Sequence, residues 1–316
     1  MQTSIIHYLK SHSAYLSGEE LSRRLKISRA AVWKYIEDLR GLGYMIEAVP
    51  HHGYHLVSSP DKLYEAEIQH GLKTKKFGRN ITYFDSIDST MREAFALAMQ
   101  KAQEGTAVCA DYQTKGRGRQ GRSWVSPKGK GIYLSVILRP AILPGSASTL
   151  TLLAAVAVCE AIRKLTSLNV TIKWPNDILI GGKKLAGILT ELNAEMDRVN
   201  FIILGIGINV HTSIKQLPPK ATSLKEEGCV ISRVALTQAV LEELEGLYHL
   251  FLQNKEKVIF NRWRALNSTL GKRIRVQDTN GFVEGLASDL DERGGLLIKT
   301  DKGTTIKRMS GDIIYV

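Results

Sequence analysis

The first 60 residues alternate apolar and polar positions in a way that predicts three short helices followed by a β-hairpin. In the third helix, Val32, Ile36 and Leu39 recur at helical spacing on one face. Two stretches of alternating polarity then surround a glycine-containing turn. Two helices joined by a tight turn and followed by a hairpin are typical of a winged helix-turn-helix, with the helix-turn-helix at about residues 18–42. We therefore predict a DNA-binding domain at residues 1–60.

Polar residues at the helix starts refine this prediction. Ser17 and Ser28 are placed to cap the second and third helices, and Glu20 would complete a capping box after Ser17. Basic and polar side chains that point away from the apolar face suit contacts with phosphates and base edges. We predict that DNA is contacted by Ser28, Arg29, Trp33 and Lys34. A protein-protein helical module with the same caps is the alternative.

Longer apolar segments follow, in which strand-like and helix-like patterns alternate, and they predict a mixed α/β domain at residues 61–269. The apolar stretch Leu150–Ile162 is too short to span a bilayer, so we expect a core helix there. Short strands separated by glycine turns then predict a small SH3-like β-barrel at residues 270–316. The predicted fold class of the whole chain is α+β.

One loop between two predicted core strands consists almost wholly of glycine and arginine. It reads Gly116-Arg117-Gly118-Arg119-Gln120-Gly121-Arg122-Ser123-Trp124. Glycine lets a backbone approach a ligand closely, and arginine presents a planar charged fork to carboxylate or phosphate. An RNA-binding or disordered basic tail is the alternative, which the buried strands on both sides disfavour. We predict an anion-binding loop and name it the Gly/Arg loop.

A second polar cluster follows a strand that ends in Lys173-Trp174-Pro175-Asn176-Asp177. Asp177 could ligate Mg²⁺ and Asn176 could hydrogen-bond a ligand, although an Asx-type turn would explain both residues equally well. The next predicted strand carries two adjacent lysines, of which one must point inward because side chains alternate along a strand. An inward lysine indicates a buried anion, and Gly187 on the same strand would let a ligand lie against it.

Charge and cysteine content narrow the class of protein. The net charge of +12 falls mostly on the middle of the chain, which fits an anionic ligand or acidic partner there. The N-terminus lacks the apolar core of a signal sequence. The three cysteines, Cys109, Cys159 and Cys229, have no metal-ligand spacing, so we expect them to be reduced thiols of a cytoplasmic protein that does not enter membranes.

Taken together, these stretches resemble the biotin protein ligases that double as biotin operon repressors, and the resemblance covers essentially the whole chain. The family patterns G-R-G-R-x-G-R-x-W, K-W-P-N-D, K-L-A-G-I-L and G-I-G-I-N-V occur here, in the same order, at Gly116–Trp124, Lys173–Asp177, Lys184–Leu189 and Gly205–Val210. One departure is Met91, where many members have Asn. The N-terminal helix-turn-helix separates the repressor type from the monofunctional type.

The resemblance implies a class II synthetase-like catalytic domain and a two-step reaction. The biotin carboxylate attacks the α-phosphate of ATP, releasing pyrophosphate and leaving biotinyl-5′-AMP. A lysine of an acceptor domain then attacks the mixed anhydride and AMP leaves. The implied acceptor is the biotin carboxyl carrier domain of acetyl-CoA carboxylase or pyruvate carboxylase. Biotin would then be both the substrate and the precursor of the corepressor.

The same resemblance assigns roles to individual residues. Catalysis would involve Arg119, Arg122, Lys184 and Asp177, with Asp177 acting through Mg²⁺ or orienting the incoming lysine. Biotin would be bound by Ser89, Thr90, Gln113, Gly116, Arg117, Gly118, Arg119, Lys184 and Gly187. ATP and the adenylate would be bound by Arg119, Arg122, Trp124, Lys173, Asn176 and Asn209.

The resemblance also implies regulation. Adenylate binding would order surface loops, favour a homodimer and bring two winged helices to a palindromic operator. Two alternatives remain at this point. One is a pure transcriptional regulator that senses a small anion, and the other is a lipoate-type protein ligase, against which the Gly/Arg loop and the Lys173–Asp177 pattern argue.

Overall fold

The structure is a computed structural model that describes residues 1–278 and 281–316. The chain divides into two compact units, Met1–Leu72 and Lys73–Val316. The first unit contains the predicted winged helix-turn-helix, and the second contains a large mixed sheet and a smaller C-terminal sheet. The domain limits expected after residues 60 and 269 remain predictions.

The first unit packs helices against a hairpin. Its elements are α1 (Gln2–Ser11), α2 (Gly18–Leu25), α3 (Arg29–Gly41), β1 (Met45–Val49), β2 (Gly53–Ser58) and α4 (Glu65–Gln69). Val32, Ile36 and Leu39 are buried at the centre of its core, which confirms the predicted inner face of α3. The sequence pattern predicts a helix at residues 62–71, but α4 is shorter, because Lys62 and its neighbours adopt an irregular conformation before Glu65.

Both predicted serine caps are confirmed. Ser17 Oγ accepts a hydrogen bond from the backbone N–H of Glu20 at 3.0 Å, and Ser28 Oγ accepts one from the N–H of Ala31 at 3.1 Å. The capping box is only half formed. The Glu20 carboxylate accepts from Arg24 at 2.6 Å, because the charged partner one turn later competes with the backbone N–H of the cap.

A seven-stranded sheet is the centre of the second unit. Its strands are β3 (Ile81–Phe84), β4 (Ala107–Ala110), β5 (Gly131–Leu138), β6 (Val170–Lys173), β7 (Asp177–Ile180), β8 (Lys183–Ala194) and β9 (Val199–Asn209). They lie in the order β3-β4-β5-β9-β8-β7-β6. Only the β3–β4 pair is parallel. The strands that the sequence pattern predicts in this region, including a hairpin at residues 178–189, are confirmed, and β8 extends beyond that hairpin.

Four helices cover this sheet: α5 (Thr90–Met99), α6 (Ala147–Leu165), α7 (Arg233–Leu252) and α8 (Glu256–Leu266). By length and composition alone, the longer segment Pro144–Leu165, with a mean hydropathy of 1.6, could cross a membrane. Most of its side chains are buried, however, and α6 packs against α7, α8 and strand β8. The prediction of a core helix is therefore confirmed.

The C-terminal sheet contains β10 (Arg273–Asp278), β11 (Gly281–Leu290), β12 (Leu296–Lys299), β13 (Thr305–Arg308) and β14 (Asp312–Tyr315), in the order β13-β12-β11-β10-β14. The first four strands were expected from the sequence. Strand β14 was not, because it has only four residues and a single buried side chain, Ile313, and so shows no alternation. It pairs antiparallel with β10 and brings Asp312 towards the Gly/Arg loop.

Candidate active site

A cleft opens where the Gly/Arg loop crosses strands β7, β8 and β9. It brings together eleven of the predicted site residues, of which Asp177 was predicted for catalysis and the others for binding biotin or ATP: Thr90, Gln113, Arg117, Gly118, Arg119, Arg122, Trp124, Asn176, Asp177, Lys184 and Gly187. They come from three stretches that lie far apart in the sequence. Their common position supports the predicted binding roles, which stay predictions.

Four other predicted residues are not among the described residues that line the cleft. Lys173 lies over the Tyr315 ring, with Nζ 5.3 Å from the ring centre, and Asn209 Nδ2 donates to the Thr222 carbonyl at 3.0 Å. A Cβ at Gly116 would meet the Trp124 carbonyl oxygen at 2.4 Å. The fourth residue, Ser89, is fully buried.

The spacing before α5 predicts Ser89 as its N-cap, but Ser89 makes no side-chain cap hydrogen bond although it occupies that position. Its hydroxyl is buried and has no hydrogen-bond partner among the residues that the structure describes. The next residue, Thr90, is held by Gln113, whose Oε1 accepts from the Thr90 N–H at 2.9 Å and from the Thr90 hydroxyl at 3.1 Å. Gln113 Nε2 donates to Ser126 Oγ at 3.0 Å. A linked set of polar groups therefore lies at this end of the cleft.

Two cations face the opposite end. Lys184 Nζ lies 2.6 Å from Asp177 Oδ1, and Arg119 Nη1 donates to Asn176 Oδ1 at 2.8 Å. Burial lowers the pKa of Arg119, although the nearby carboxylates of Asp312 and Asp177 oppose that shift. Asn176 is itself fixed because its Nδ2 donates to the Ile188 carbonyl at 2.9 Å. The side chains of Asn176 and Asp177 therefore position the two cations.

The adjacent lysines take different partners, as the alternation along the strand predicted. Lys184 enters the cleft, whereas Lys183 Nζ lies 3.5 Å from Glu227 Oε1 outside it. The register between β7 and β8 shifts between Ile178 and Leu179. An irregularity of this kind re-aims a side chain locally.

Two arginines of the loop are held by carboxylates at the rim. Arg117 Nη2 lies 2.9 Å from Glu191 Oε1, and Arg122 Nη2 lies 2.8 Å from Asp312 Oδ1. Both pairs are largely exposed, so each contributes little to stability and is readily exchanged for another anion. Neither carboxylate was predicted as part of the site. Asp312 lies on the strand that the sequence did not reveal, and Glu191 lies beyond the predicted end of the β8 hairpin.

The indole of Trp124 lies on the sheet itself. A Cβ at Gly207 would stand 2.6 Å from Trp124 Cε2, and one at Gly187 would stand 3.2 Å from Trp124 Cζ3. These glycines are paired across β8 and β9, so the ring rests directly on backbone. Lys184 Nζ lies 5.6 Å from the ring centre. The buried indole Nε1 has no hydrogen-bond partner within residues 1–278 and 281–316.

Trp124 also limits the space in the cleft. The cavity measures 140 Å³, below the range of about 300–1,000 Å³ typical of ligand pockets. Met91 closes the far wall, with its Sδ 2.4 Å from where a Cβ at Gly205 would stand. A ligand as large as an adenylate therefore requires the indole or the loop to move.

Metal binding by the protein alone is not supported. Among the described residues there is no group of three or more His, Cys, Asp or Glu side chains able to hold a metal ion. Asp177 brings one carboxylate into the cleft, and that carboxylate already contacts Lys184. Its donor set suits at most a Mg²⁺ ion whose other ligands are phosphate oxygens and water.

The first unit presents a separate polar surface. Arg29, Trp33 and Lys34 are exposed on α3, and Trp33 retains 59% of its accessible surface. Arg29 and Trp33 line a groove between α3 and the hairpin, whose other wall includes His51. Ser28 is exposed too, but its hydroxyl is engaged in capping α3. An exposed indole beside basic residues on the second helix of this motif suits recognition of DNA.

Comparison with known proteins agrees with this arrangement. The model of the Biotin/lipoate A/B protein ligase family matches residues 83–209, an HTH domain model matches residues 2–55, and the Biotin protein ligase C terminal domain matches residues 269–315. The middle match contains the Gly/Arg loop and both cleft cations, Arg119 and Lys184.

Individual relatives match along nearly the whole chain. The Bifunctional ligase/repressor BirA of Bacillus subtilis (strain 168) is 43% identical over 312 residues, covering 97% of this chain and 95% of that protein. The protein of the same name from Escherichia coli (strain K12) is 31% identical, covering 96% and 94%. The solved biotin protein ligase from Aquifex aeolicus in complex with biotin and ATP has a TM-score of 0.65 at 31% identity, covering 75% of this chain and 99% of that one. The chain belongs to the biotin protein ligase family, in its bifunctional ligase/repressor branch.

Proposed function

We propose that this chain activates biotin with ATP and transfers it to a lysine of a biotin carboxyl carrier domain. One observation carries the proposal: Arg119 and Lys184 face one cleft whose other end is the linked polar set around Thr90 and Gln113. A ligand with an anionic tail and a polar ring would span the two ends. The cations would offset the repulsion between a carboxylate and a phosphate that must approach each other.

In the first step the biotin carboxylate oxygen attacks the α-phosphorus, and the bond to the β-phosphate oxygen breaks, so pyrophosphate leaves. Lys184 and Arg119 would stabilise the charge on the α-phosphoryl oxygens. Arg122 would leave Asp312 to contact the phosphates. In the second step the acceptor amine attacks the acyl carbon and AMP leaves. Asp177, which lines the cleft, would orient that amine and accept its proton.

Mg²⁺ is part of the proposal only through the nucleotide. Asp177 is the residue that would hold it, and the ion would screen the negative charge of the triphosphate. At the other end, Ser89 supplies a buried hydroxyl without a partner among the described residues, which suits hydrogen bonding to the ureido ring of biotin. The Trp124 indole would move away from Gly187 and Gly207 as the ligand enters.

A pyrophosphate-release assay with biotin, lipoate and octanoate in parallel tests the enzyme assignment. We expect release with biotin alone, and its loss in Lys184→Met. Release with lipoate or octanoate instead would favour the lipoate-type alternative. Tight biotin binding without release of pyrophosphate would favour a regulator that only senses its ligand.

Transfer is tested with an acceptor. We expect one labelled lysine in a biotin carboxyl carrier domain of acetyl-CoA carboxylase or pyruvate carboxylase. Arg119→Gly should release the adenylate about 10–100-fold faster, because a hydrogen bond to a charged group contributes about 1.5–3 kcal/mol. The freed adenylate should label lysines of bystander proteins. Mass spectrometry that finds only the acceptor lysine labelled by Arg119→Gly would contradict this role.

We also propose that the chain is a cytoplasmic repressor that forms a homodimer on adenylate binding and contacts operator DNA through Ser28, Arg29, Trp33 and Lys34. The three free cysteines support a reducing compartment.

An exposed apolar patch supports self-association. It consists of Leu143, Leu192 and Met196, which are 63%, 44% and 101% exposed. A hydrogen bond from the Val199 N–H to the Ile142 carbonyl joins the two segments that carry it. Sedimentation with and without biotin plus ATP should show the dimer only with both. Met196→Asp should prevent dimer formation, and a dimer independent of ligand would contradict the proposal.

A further inference from the structure

The segments that lead into and out of the Gly/Arg loop meet at Asp111. Asp111 directly follows strand β4, at the point where the chain leaves the sheet towards the loop, and the chain returns through Gly129 and Gly131 into β5. The Asp111 carbonyl accepts from the Gly129 N–H at 3.0 Å. Asp111 therefore begins the segment that leads to the loop, and its backbone carbonyl also contacts the segment that returns from it.

A buried arginine joins the same two segments through its side chain. Arg233 is the first residue of α7, and its Nη1 donates to Asp111 Oδ1 at 2.8 Å and to the Gly131 carbonyl at 3.3 Å. The two charged side chains are only 3% and 4% exposed. One guanidinium therefore fixes the end of β4 to the start of β5, and anchors both to a helix of 20 residues.

The rest of the returning segment is held to the same framework. The Tyr133 hydroxyl donates to the Pro127 carbonyl at 2.9 Å. The Lys130 carbonyl accepts from the N–H groups of Val210 and His211 at 3.2 and 2.6 Å. Strand β9 carries Gly207, on which the Trp124 indole rests, and its end is thus hydrogen-bonded to the segment that returns from the Gly/Arg loop. A shift of this returning segment would therefore move the Gly/Arg loop relative to Gly207.

A buried ion pair is a poor means of gaining stability, because desolvation of the two charges offsets most of their attraction. In some proteins such a pair serves instead to fix one geometry. We propose that Arg233 and Asp111 are a positioning pair that fixes the segments on both sides of the Gly/Arg loop, so that Arg119 and Trp124 close over the adenylate and retain it. The proposal rests on the ligase function proposed above, and neither residue is among the described residues that line the cleft.

A double variant distinguishes a positioning role of the pair from a purely structural one. Arg233→Met leaves Asp111 buried and unpaired, and Asp111→Asn leaves Arg233 without its carboxylate, so each single variant should lower the Tm. Asp111→Asn combined with Arg233→Met removes both charges and should recover most of the Tm. We expect the double variant still to release the adenylate at least about 10-fold faster than the parent protein, whereas Arg233→Lys, which keeps the charge but loses the planar fork, should release it at an intermediate rate. Arg264→Met, which breaks the exposed pair with Asp289, is the control and should leave release unchanged.

Limited proteolysis of the loop without ligand gives a readout that does not depend on catalysis. Cleavage between residues 116 and 128 should be about 10-fold faster in the double variant than in the parent protein, at matched Tm. If Tm, cleavage rate and adenylate release all return to parental values together, the pair is merely structural and the proposal is wrong. If the parent protein makes no adenylate, the ligase assignment fails, while the cleavage rates still decide the positioning role.

Discussion

Arg122 Nη2 lies 2.8 Å from Asp312 Oδ1, so the loop expected to bind anions is held by a carboxylate of the last strand. The pair is mostly exposed, with side chains 59% and 40% accessible. Exposed pairs contribute at most about 1 kcal/mol. Asp312 can therefore keep the loop in place without preventing a phosphate from taking Arg122.

Removal of this carboxylate should loosen the loop. We expect Asp312→Asn to speed proteolysis of the loop without ligand by about 2–5-fold, the factor that corresponds to at most about 1 kcal/mol. Biotin plus ATP should restore protection, because phosphates replace the lost carboxylate. Asp301→Asn, which removes a carboxylate from an exposed pair with Arg273, is the matched control and should change neither rate. An Asp312→Asn loop cut at the parental rate would contradict the contact.

Gly207 should not tolerate a side chain, because the Trp124 indole already occupies the space. A methyl group there would stand 2.6 Å from Trp124 Cε2 and 2.7 Å from Nε1. We expect Gly207→Ala to lower the Tm and biotin affinity, since overpacking typically costs about 1–3 kcal/mol. Gly246→Ala is the control, because its Cβ would meet nothing within 4 Å on an exposed helix face. Thermal melting and biotin titration measure both.

A second substitution tests whether the Trp124 indole causes the loss of stability in Gly207→Ala. In a Trp124→Phe background the ring is smaller, so Gly207→Ala should destabilise the protein less. An equal loss of Tm in both backgrounds would show that the clash lies with another group.

Lys173 should limit activity at alkaline pH. Burial lowers its pKa from the usual value of 10.5, and the nearby charges of Lys184 and Arg122 add to that shift against Asp177 and Asp312. A lysine with a lowered pKa loses its charge at a lower pH, so the kcat/KM for ATP should fall as pH rises through that pKa. Lys173→Arg stays charged and should move the alkaline limb upwards. Profiles of kcat/KM between about pH 7 and about pH 10 measure the limb, and an identical limb in both proteins would contradict this role.

Local patterns predicted much of this site, and their limits have physical causes. The Gly/Arg loop and the inward lysine were accessible because glycine content and strand alternation are local properties. Ser89 was misread as a cap, because an N-cap position and a buried unpaired hydroxyl have the same local sequence. Asp312 and the pair of Arg233 with Asp111 were missed because such contacts join segments 120 or more residues apart, which no short pattern encodes.

Two exposed residues of α3 should affect DNA binding differently, Lys34 through its charge and Trp33 through contacts with base edges. Lys34 is exposed on the outer face of the helix, and a phosphate contact there would release counterions. Lys34→Ala should therefore reduce the slope of log K against log salt by about 0.9 per bound copy of the chain, and weaken binding to all duplexes alike.

Trp33 provides the contrast on the same helix, because its indole carries no charge. Trp33→Ala should leave the salt slope unchanged but reduce selection among random duplexes, since the 59% of its surface now exposed would lie against base edges in a complex. Binding titrations at several salt concentrations, together with enrichment from a random duplex pool, measure the two effects. A lower slope in Trp33→Ala, or an unchanged slope in Lys34→Ala, would mean that another surface of this unit contacts the phosphates.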